Sequence, residues 1–345
     1  MKRPLGTSAK SIDEACLLLV DLLTRDGVRG HGYAFCYQQS IARSLLPVVA
    51  ELSELLEGEP LAPLDIALIV SRHFRLPGLS GPLAMVASSI DAAAWDAVAK
   101  SANVPLAVYL GASLKPIAAY NSNGLGLMPP DAAADEAEAL LEGGFTAVKL
   151  RLGRSCFEYD LATVRAVRRR LPDNVRVMVD FNQALTFADA LQSAYALDHE
   201  GIYWIEEPIR HDDYHHMALL AQAARTPIQI GENFTGLRPM ATALEAGSSD
   251  YVMLDLVRIG GVTGWQRATG LAAAYDREVS SHLFPEVSAH LLAATPGRHW
   301  LEYVDWANPI LQQPLRIENG LAIPSDRPGN GLAWDADAVA KYRLA

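Results

Sequence analysis

Residues 175–206 read VRVMVDFNQALTFADALQSAYALDHEGIYWIE, and this stretch decides the fold. Its two ends, Val175–Phe181 and Tyr203–Glu206, are short runs rich in β-branched, aromatic and other apolar residues, which is typical of buried strands. Between them, Phe187–Glu200 carries apolar residues at helical spacing. A strand, a helix and a second strand in this order predict a βαβ unit with parallel strands. An acidic residue lies next to the end of the first strand (Asp180) and at the end of the second (Glu206).

The same unit repeats on both sides of this stretch. Apolar runs define eight predicted strands, which are Ile117–Tyr120, Ala147–Leu152, Val175–Phe181, Tyr203–Glu206, Ile228–Ile230, Tyr251–Leu256, Val279–Leu283 and Trp300–Val304. Helical patterns lie between them at Asp131–Glu142, Asp160–Leu171, Phe187–Glu200, Tyr214–Arg225 and Thr263–Asp276. Eight strands that alternate with helices predict an α/β protein whose catalytic domain, residues 117–304, is a (β/α) barrel.

The two ends of the chain have different patterns. Within residues 1–116, Cys16–Thr24 and Gly30–Tyr37 form a hairpin-like pair, and helical segments follow. We therefore expect a separate α+β domain at the N-terminus. Residues 305–345 are rich in Pro and Gly and show no helical pattern until Asp335, and we expect them to complete that domain.

The composition argues against several classes of protein. The net charge is −11 and the longest basic run is Arg168–Arg170, so we expect no nucleic-acid partner. Three cysteines without C-x-x-C spacing suggest neither a disulfide framework nor a zinc site, and they fit a reducing compartment. The apolar run Ala15–Leu23 contains Asp21 and is too short to cross a bilayer. The expected protein is cytoplasmic, with no membrane partner.

Three consecutive predicted strands end near an acidic residue: Asp180, Glu206 and Glu232. The carboxyl ends of the strands hold the active site in such barrels, so these side chains should converge. Three carboxylates in one place repel strongly unless a cation neutralises them. Oxygen-only ligands select a hard ion, which predicts Mg²⁺, with Mn²⁺ the nearest alternative. For a single acid, a helix cap or a salt bridge would be the simpler interpretation.

A histidine ends the seventh strand. His282 stands one βα unit after Asp255, so the carboxylate can bind one ring nitrogen while the other faces a substrate. Such pairing fixes the tautomer and stabilises the imidazolium, which suits a general base. We interpret the other histidines as structural.

Five motifs, spread over a match from Leu17 to Tyr342, resemble those of the mandelate racemase subgroup of the enolase superfamily. They are Val179–Gln183, Trp204–Pro208, Gly231–Asn233, Ile259–Trp265 and Ser281–Phe284. The resemblance implies an enolase-like fold, a modified (β/α)7β TIM barrel with an α+β capping domain built from both termini. It also implies Mg²⁺ on the three acids and a catalytic His282–Asp255 dyad.

The resemblance further implies that Lys149 and Glu302 are electrophilic groups at the carboxylate of a small-molecule substrate. Removing a proton from the carbon beside a carboxylate creates a dianionic enediolate, so charge stabilisation should be the largest catalytic term. Mg²⁺, Lys149 and a protonated Glu302 are suited to supply it. We also expect a homo-oligomer.

One residue departs from the family pattern. The subgroup's Lys-x-Lys motif, whose second lysine is the opposite base, reads Lys149–Leu150–Arg151 here. With an ordinary pKa of ~12.5 or more, roughly one guanidinium in 10⁵ is neutral at pH 7, so arginine is a poor base. Abstraction by His282 alone is then favoured. Its natural outcome is dehydration of a hydroxy or sugar acid to a 2-keto acid.

Other interpretations stay open. Leu283 and Val304 fall on the racemase's apolar pocket, which suits an apolar substituent better than a sugar chain and keeps a racemase or epimerase as the alternative. Asn182 and Tyr37 are further candidate substrate contacts, although Tyr37 is equally well explained as a packing residue. A non-catalytic binding relative is the alternative of another class.

Overall fold

The computed structural model describes residues 1–344 and begins with a capping region of mixed secondary structure. Its strands are β1 (Leu5–Gly6), β2 (Ser11–Ile12), β3 (Leu17–Leu23) and β4 (Arg29–Phe35). Its helices are α1 (Gln39–Leu56), α2 (Pro63–His73), α3 (Gly81–Ser101) and α4 (Leu106–Tyr109). Strands β3 and β4 pair antiparallel, so the hairpin predicted from the sequence is confirmed.

The hairpin lies directly on helix α3, and two glycines of β4 make this possible. A Cβ atom on Gly30 would lie 1.9 Å from the carbonyl oxygen of Ala93, and one on Gly32 would lie 2.2 Å from that of Ser89. No side chain larger than hydrogen fits at either place without moving the helix or the strand.

Eight parallel strands form the barrel, as predicted. They are β5 (Ile117–Asn121), β6 (Ala147–Arg151), β7 (Arg176–Asp180), β8 (Ile202–Glu206), β9 (Ile228–Ile230), β10 (Tyr251–Asp255), β11 (Glu278–His282) and β12 (Leu301–Tyr303). Strand β12 pairs in parallel with β5 and closes the ring. The amide of Ser281 donates to the carbonyl of Trp300 and so links β11 to the chain that enters β12.

Helices cover the outside of the barrel. They are α5 (Pro130–Ala139), α6 (Phe157–Arg170), α7 (Phe187–Leu197), α8 (Tyr214–Ala223), α9 (Leu237–Ala246), α10 (Leu256–Ile259), α11 (Gly261–Ala274) and α12 (Pro285–Ala293). The five predicted helices are confirmed with ends shifted by a few residues, whereas α9, α10 and α12 were not predicted. Every residue of α12 is buried, so this helix has no solvent-exposed face and its sequence lacks the amphipathic pattern.

The C-terminal tail contacts both the barrel and the capping region. It contains a 3₁₀ turn (Asn308–Ile310), an unpredicted hairpin of β13 (Arg316–Glu318) and β14 (Leu321–Ile323), and α13 (Ala336–Tyr342). Strand β14 pairs antiparallel with β5. The indole of Trp334 donates to Asp21, and the side-chain amide of Asn330 donates to the carbonyl of His31. The domain boundaries at residues 116 and 304 stay a prediction.

The capping region sits against the ends of the barrel strands that carry the acids. Tyr33 donates to Glu286 in α12, and Tyr37 accepts from Arg258 in α10. Asp91 in α3 accepts from both the hydroxyl and the amide of Thr263. Among residues 1–344, no helix is long and apolar enough to cross a membrane.

We predict that Gly32→Ala lowers the free energy of unfolding by roughly 1–3 kcal/mol, the usual cost of overpacking. The matched control is Gly270→Ala in α11, where an added Cβ meets no atom within 4 Å. That variant should gain about 1 kcal/mol from helix propensity. Chemical unfolding midpoints measure both, and equal stability of the two variants would contradict the proposed close contact.

Candidate active site at the carboxyl ends of the barrel strands

Three carboxylates meet where β7, β8 and β9 end. Asp180 and Glu206 are the last residues of their strands and are paired in register, and Glu232 follows β9. One oxygen from each of the three lies within 4.8 Å of the others. This all-oxygen donor set fits a hard divalent cation such as Mg²⁺.

Lys149 is the cation nearest to this cluster. Its ammonium lies 2.6 Å from Glu206, 3.3 Å from Asp180 and 2.9 Å from Glu302. Burial alone would lower the pKa of Lys149, but these carboxylates outweigh burial and hold its pKa above the ordinary value. Lys149 is therefore charged.

One ammonium does not balance the acids. Burial raises the pKa of Glu206 to about 8; Lys149 opposes the rise, and Asp180 and Glu232 add to it. Burial and the neighbouring acids thus disfavour ionisation of Glu206. Surplus negative charge in a buried place is what a bound divalent cation would neutralise, so the electrostatics also fit Mg²⁺.

Neighbouring donors orient two of the three acids. Trp204 and Gln229 both donate to Oε2 of Glu206, at 3.1 and 3.3 Å. The backbone and side-chain amides of Asn182 donate to the two oxygens of Asp180. The sequence analysis missed Trp204 and Gln229, although Trp204 stands two residues before Glu206 and so shares its face of the strand.

His282 and Asp255 are also brought together. They are partners in the β10–β11 register, and Nδ1 of His282 lies 2.7 Å from Oδ2 of Asp255. The other ring nitrogen, Nε2, faces Glu232 at 3.3 Å and Glu302 at 4.0 Å. Oδ1 of Asp255 accepts the backbone amides of Val257 and Arg258, which fixes the carboxylate in place.

The surroundings favour a strongly basic imidazole. Burial lowers the pKa of His282, but the negative charge of Glu232 and the hydrogen bond to Asp255 more than offset it and bring the pKa to about 10. A cation on Glu232 would remove the largest upward contribution and bring the histidine closer to the range of a neutral base.

The surroundings of Glu302 favour its ionised form, and the expected protonated form stays a prediction. Its Oε1 accepts from Ser122 at 2.7 Å and from Lys149 at 2.9 Å, and its Oε2 accepts the amide of Leu283 at 2.9 Å. Burial opposes ionisation, but Lys149, His282 and Arg151 hold the pKa of Glu302 well below its usual range. These surroundings favour a carboxylate at Glu302, because cations and donors surround it.

The guanidinium of Arg151 is directed at the backbone that follows β5. Its Nη1 donates to the carbonyls of Ser122 and Gly124 at 2.9 and 3.0 Å, and its Nη2 donates to the hydroxyl of Ser122 at 2.7 Å. The side chain is buried. Arg151 thus stands at the site as an anchored cation.

The four candidate substrate contacts lie in different surroundings. Leu283 and Val304 line a small apolar cavity of about 10 Å³ together with Tyr33, Phe35 and Trp306. Neither Tyr37 nor Asn182 is part of that lining.

Polar partners hold those other two residues. The hydroxyl of Tyr37 accepts from Arg258, whose other arm donates to Asn233 beside Glu232. The side-chain oxygen of Asn182 is buried and has no partner among residues 1–344. All four substrate contacts stay predictions.

Family models match nearly the whole chain. The mandelate racemase / muconate lactonizing enzyme N-terminal domain matches residues 1–111, and the enolase C-terminal domain-like model matches residues 132–338. The chain belongs to the mandelate racemase/muconate lactonizing enzyme family of the enolase superfamily.

Relatives of this family member include characterised enzymes and solved structures. L-talarate/galactarate dehydratase of Salmonella typhimurium LT2 is 32% identical over 333 residues, which are 95% of this chain and 83% of that protein. An enolase from alpha proteobacterium bal199 with bound magnesium has a TM-score of 0.96 and 42% identity, over 99% of this chain and 95% of the other. An enolase from Bradyrhizobium complexed with magnesium and mandelic acid has a TM-score of 0.94 and 38% identity, over 100% and 95%.

These matches confirm the expected family, the enolase-like fold and the Mg²⁺ cofactor. The family member is an enzyme, so the alternative of a non-catalytic binding relative is not supported. Its activity is Mg²⁺-dependent enolisation leading to dehydration or racemisation.

We predict that Glu232→Gln weakens Mg²⁺ binding, because it removes one of three carboxylate ligands. Losing an outer partner of a ligand typically costs about 10–100-fold in metal affinity, and losing a ligand should cost more. Titration calorimetry with Mg²⁺ measures the change, and the matched control is Glu245→Gln on the exposed surface of α9. Equal Mg²⁺ affinity of the two variants would remove Glu232 from the metal site.

Proposed function

We propose that the protein dehydrates a 2-hydroxycarboxylate that carries a hydroxyl on the next carbon, a hydroxy acid or sugar acid, using His282 as the single base. The anchoring of Arg151 carries this proposal. Its Nη atoms are held by two carbonyls and a hydroxyl, and a guanidinium is in any case a poor proton acceptor. The dehydratase relative from Salmonella typhimurium supports the same reaction class.

In the proposed reaction, Nε2 of His282 takes the proton from the α-carbon, and the electrons of that C–H bond form the enediolate. The electrons of the enediolate then form a double bond between the α- and β-carbons. The β-hydroxyl takes a proton and leaves as water. Imidazolium His282, which is hydrogen-bonded to Asp255, can donate this proton. The resulting enol becomes a 2-keto acid by tautomerisation.

The remaining groups would stabilise charge. Mg²⁺, when bound on Asp180, Glu206 and Glu232, supplies Lewis-acid stabilisation of the developing negative charge. Lys149 lies between this cluster and Glu302, where its ammonium can face the substrate carboxylate. Charge placed before the reaction begins is the main source of catalysis for such weak carbon acids.

A second candidate is the racemisation or epimerisation of a 2-hydroxy acid with an apolar substituent. The cavity beside Leu283 and Val304 favours it, because its lining is mainly aliphatic and aromatic. The Bradyrhizobium relative, which is complexed with mandelic acid, points in the same direction. This reaction needs a second proton donor on the face opposite His282.

Screening 2-hydroxy and sugar acids for 2-keto acid formation and for loss of optical rotation separates the two candidates. Formation of a 2-keto acid supports the dehydratase, and loss of rotation without keto acid supports the racemase. Homo-oligomer formation and a cytoplasmic location stay predictions, and sedimentation velocity tests the first.

We predict that His282→Asn loses α-proton abstraction with the fold intact. A positioned general base contributes about 10² to 10⁴-fold, and here it has no substitute. The measurement is exchange of the substrate α-proton with deuterium, and Asp255→Asn should also be impaired. The control is His199→Asn, which changes an exposed histidine just after α7. Unchanged exchange in His282→Asn would assign the base to another residue.

We predict that wild-type protein exchanges only the enantiomer whose α-proton faces His282. Arg151→Lys should introduce a group that can lose its proton on the opposite face and start exchange of the other enantiomer. A lysine cannot reproduce the planar guanidinium contacts, so weaker substrate binding is expected as well. Deuterium incorporation into each enantiomer measures both effects. Rapid exchange of both enantiomers by the wild type would favour the racemase.

A further inference from the structure

A hydrogen-bonded chain runs from Arg151 through Ser122 to Glu302. Nη2 of Arg151 lies 2.7 Å from the Ser122 hydroxyl, and this hydroxyl lies 2.7 Å from Oε1 of Glu302. All three side chains are buried. Ser122 follows β5, Arg151 ends β6 and Glu302 lies in β12, so the chain joins three neighbouring parts of the barrel.

With Glu302 as a carboxylate, the direction of these hydrogen bonds has one solution. A guanidinium has donors and no acceptor, so the Ser122 oxygen must accept from Arg151. Its single proton is then available only for Glu302. The hydroxyl therefore acts as a fixed donor to Oε1, and it cannot rotate away without losing both partners.

Several hydrogen bonds hold the Arg151 guanidinium, which anchors this hydrogen-bonded chain. Nη1 of Arg151 spans the carbonyls of Ser122 and Gly124, while Nη2 reaches the hydroxyl of Ser122. One planar group thus holds the backbone and the side chain of the same serine. An ammonium is a point charge with rotatable donors and would not fix both at once.

We propose that Ser122 is a positioning residue of the active site, which uses Arg151 as its anchor to hold the Glu302 carboxylate between Lys149 and His282. The proposal rests on the proposed enolisation, in which Glu302 faces the substrate carboxylate. The role of Arg151 is then to anchor Ser122, and not to act as a base. Oε1 of Glu302 is turned toward Lys149, and Oε2 is left toward Nε2 of His282.

Ser122→Ala removes the link and leaves the guanidinium on its two carbonyls. We expect kcat to fall by about 10- to 100-fold, the effect of one hydrogen bond to a charged group. KM and Mg²⁺ affinity should not change, since the lost contact serves the transition state. Ser122→Thr keeps the hydroxyl and should restore kcat. The control is Ser89→Ala, another buried serine, whose hydroxyl bonds only within α3.

A double-mutant cycle tests the anchor. If Arg151 acts through Ser122, adding Ser122→Ala to Arg151→Met should cost little beyond Arg151→Met alone. Additive losses of kcat would contradict a hydrogen-bonded chain from Arg151 through Ser122 to Glu302. A Ser122→Thr variant that is as impaired as Ser122→Ala would contradict it as well. Wild-type kcat in Ser122→Ala would also overturn the proposal.

A binding experiment keeps this test separate from the proposed function. Oxalate is a planar dianion that resembles the enediolate, and its binding to the Mg²⁺-loaded protein needs no turnover. Calorimetry should show weaker oxalate binding to Ser122→Ala than to the wild type or to Ser122→Thr. Equal oxalate affinity of wild type and Ser122→Ala would overturn the positioning role. If the wild type exchanges no 2-hydroxy acid, the proposed function fails, while the oxalate result still decides the role of Ser122.

Discussion

The balance of charge around the Lys149 ammonium is the constraint on which the rest of the active site depends. Asp180, Glu206 and Glu302 all lie within 3.3 Å of this one buried cation. Buried carboxylates are tolerated only when cations or donors surround them. The strand ends and the neighbouring donors hold Lys149 and its carboxylates in place. The capping region helps to exclude water from them.

Much of the fold and of the site could be predicted because the necessary signals are local. An apolar strand that ends in an acid is visible within ten residues, so Asp180 and Glu206 could be assigned to the barrel mouth from their strands alone. The His282–Asp255 pair could be predicted because parallel neighbours in a barrel are separated by one βα unit.

What the sequence could not reveal depends on contacts between distant segments. Helix α12 has no solvent-exposed face, because all of its residues are buried. Burial raises the pKa of Glu302, but Lys149, His282, Arg151 and Ser122, which come from other strands or loops, hold this pKa below its usual range. A titration state is a property of the whole surrounding group, whereas a strand is largely a property of its own residues.

The pairing of strand β5 bears on the order in which the molecule assembles. One part of β5 pairs with β12 and another part with β14, and both partners lie near the far end of the chain. During synthesis from the N-terminus, β5 emerges early and keeps this edge open until almost the entire chain has left the ribosome. Contacts between such distant segments slow folding, and an open edge invites pairing with other chains. In the nascent chain this edge of β5 therefore has no partner until β12 and β14 have been synthesised.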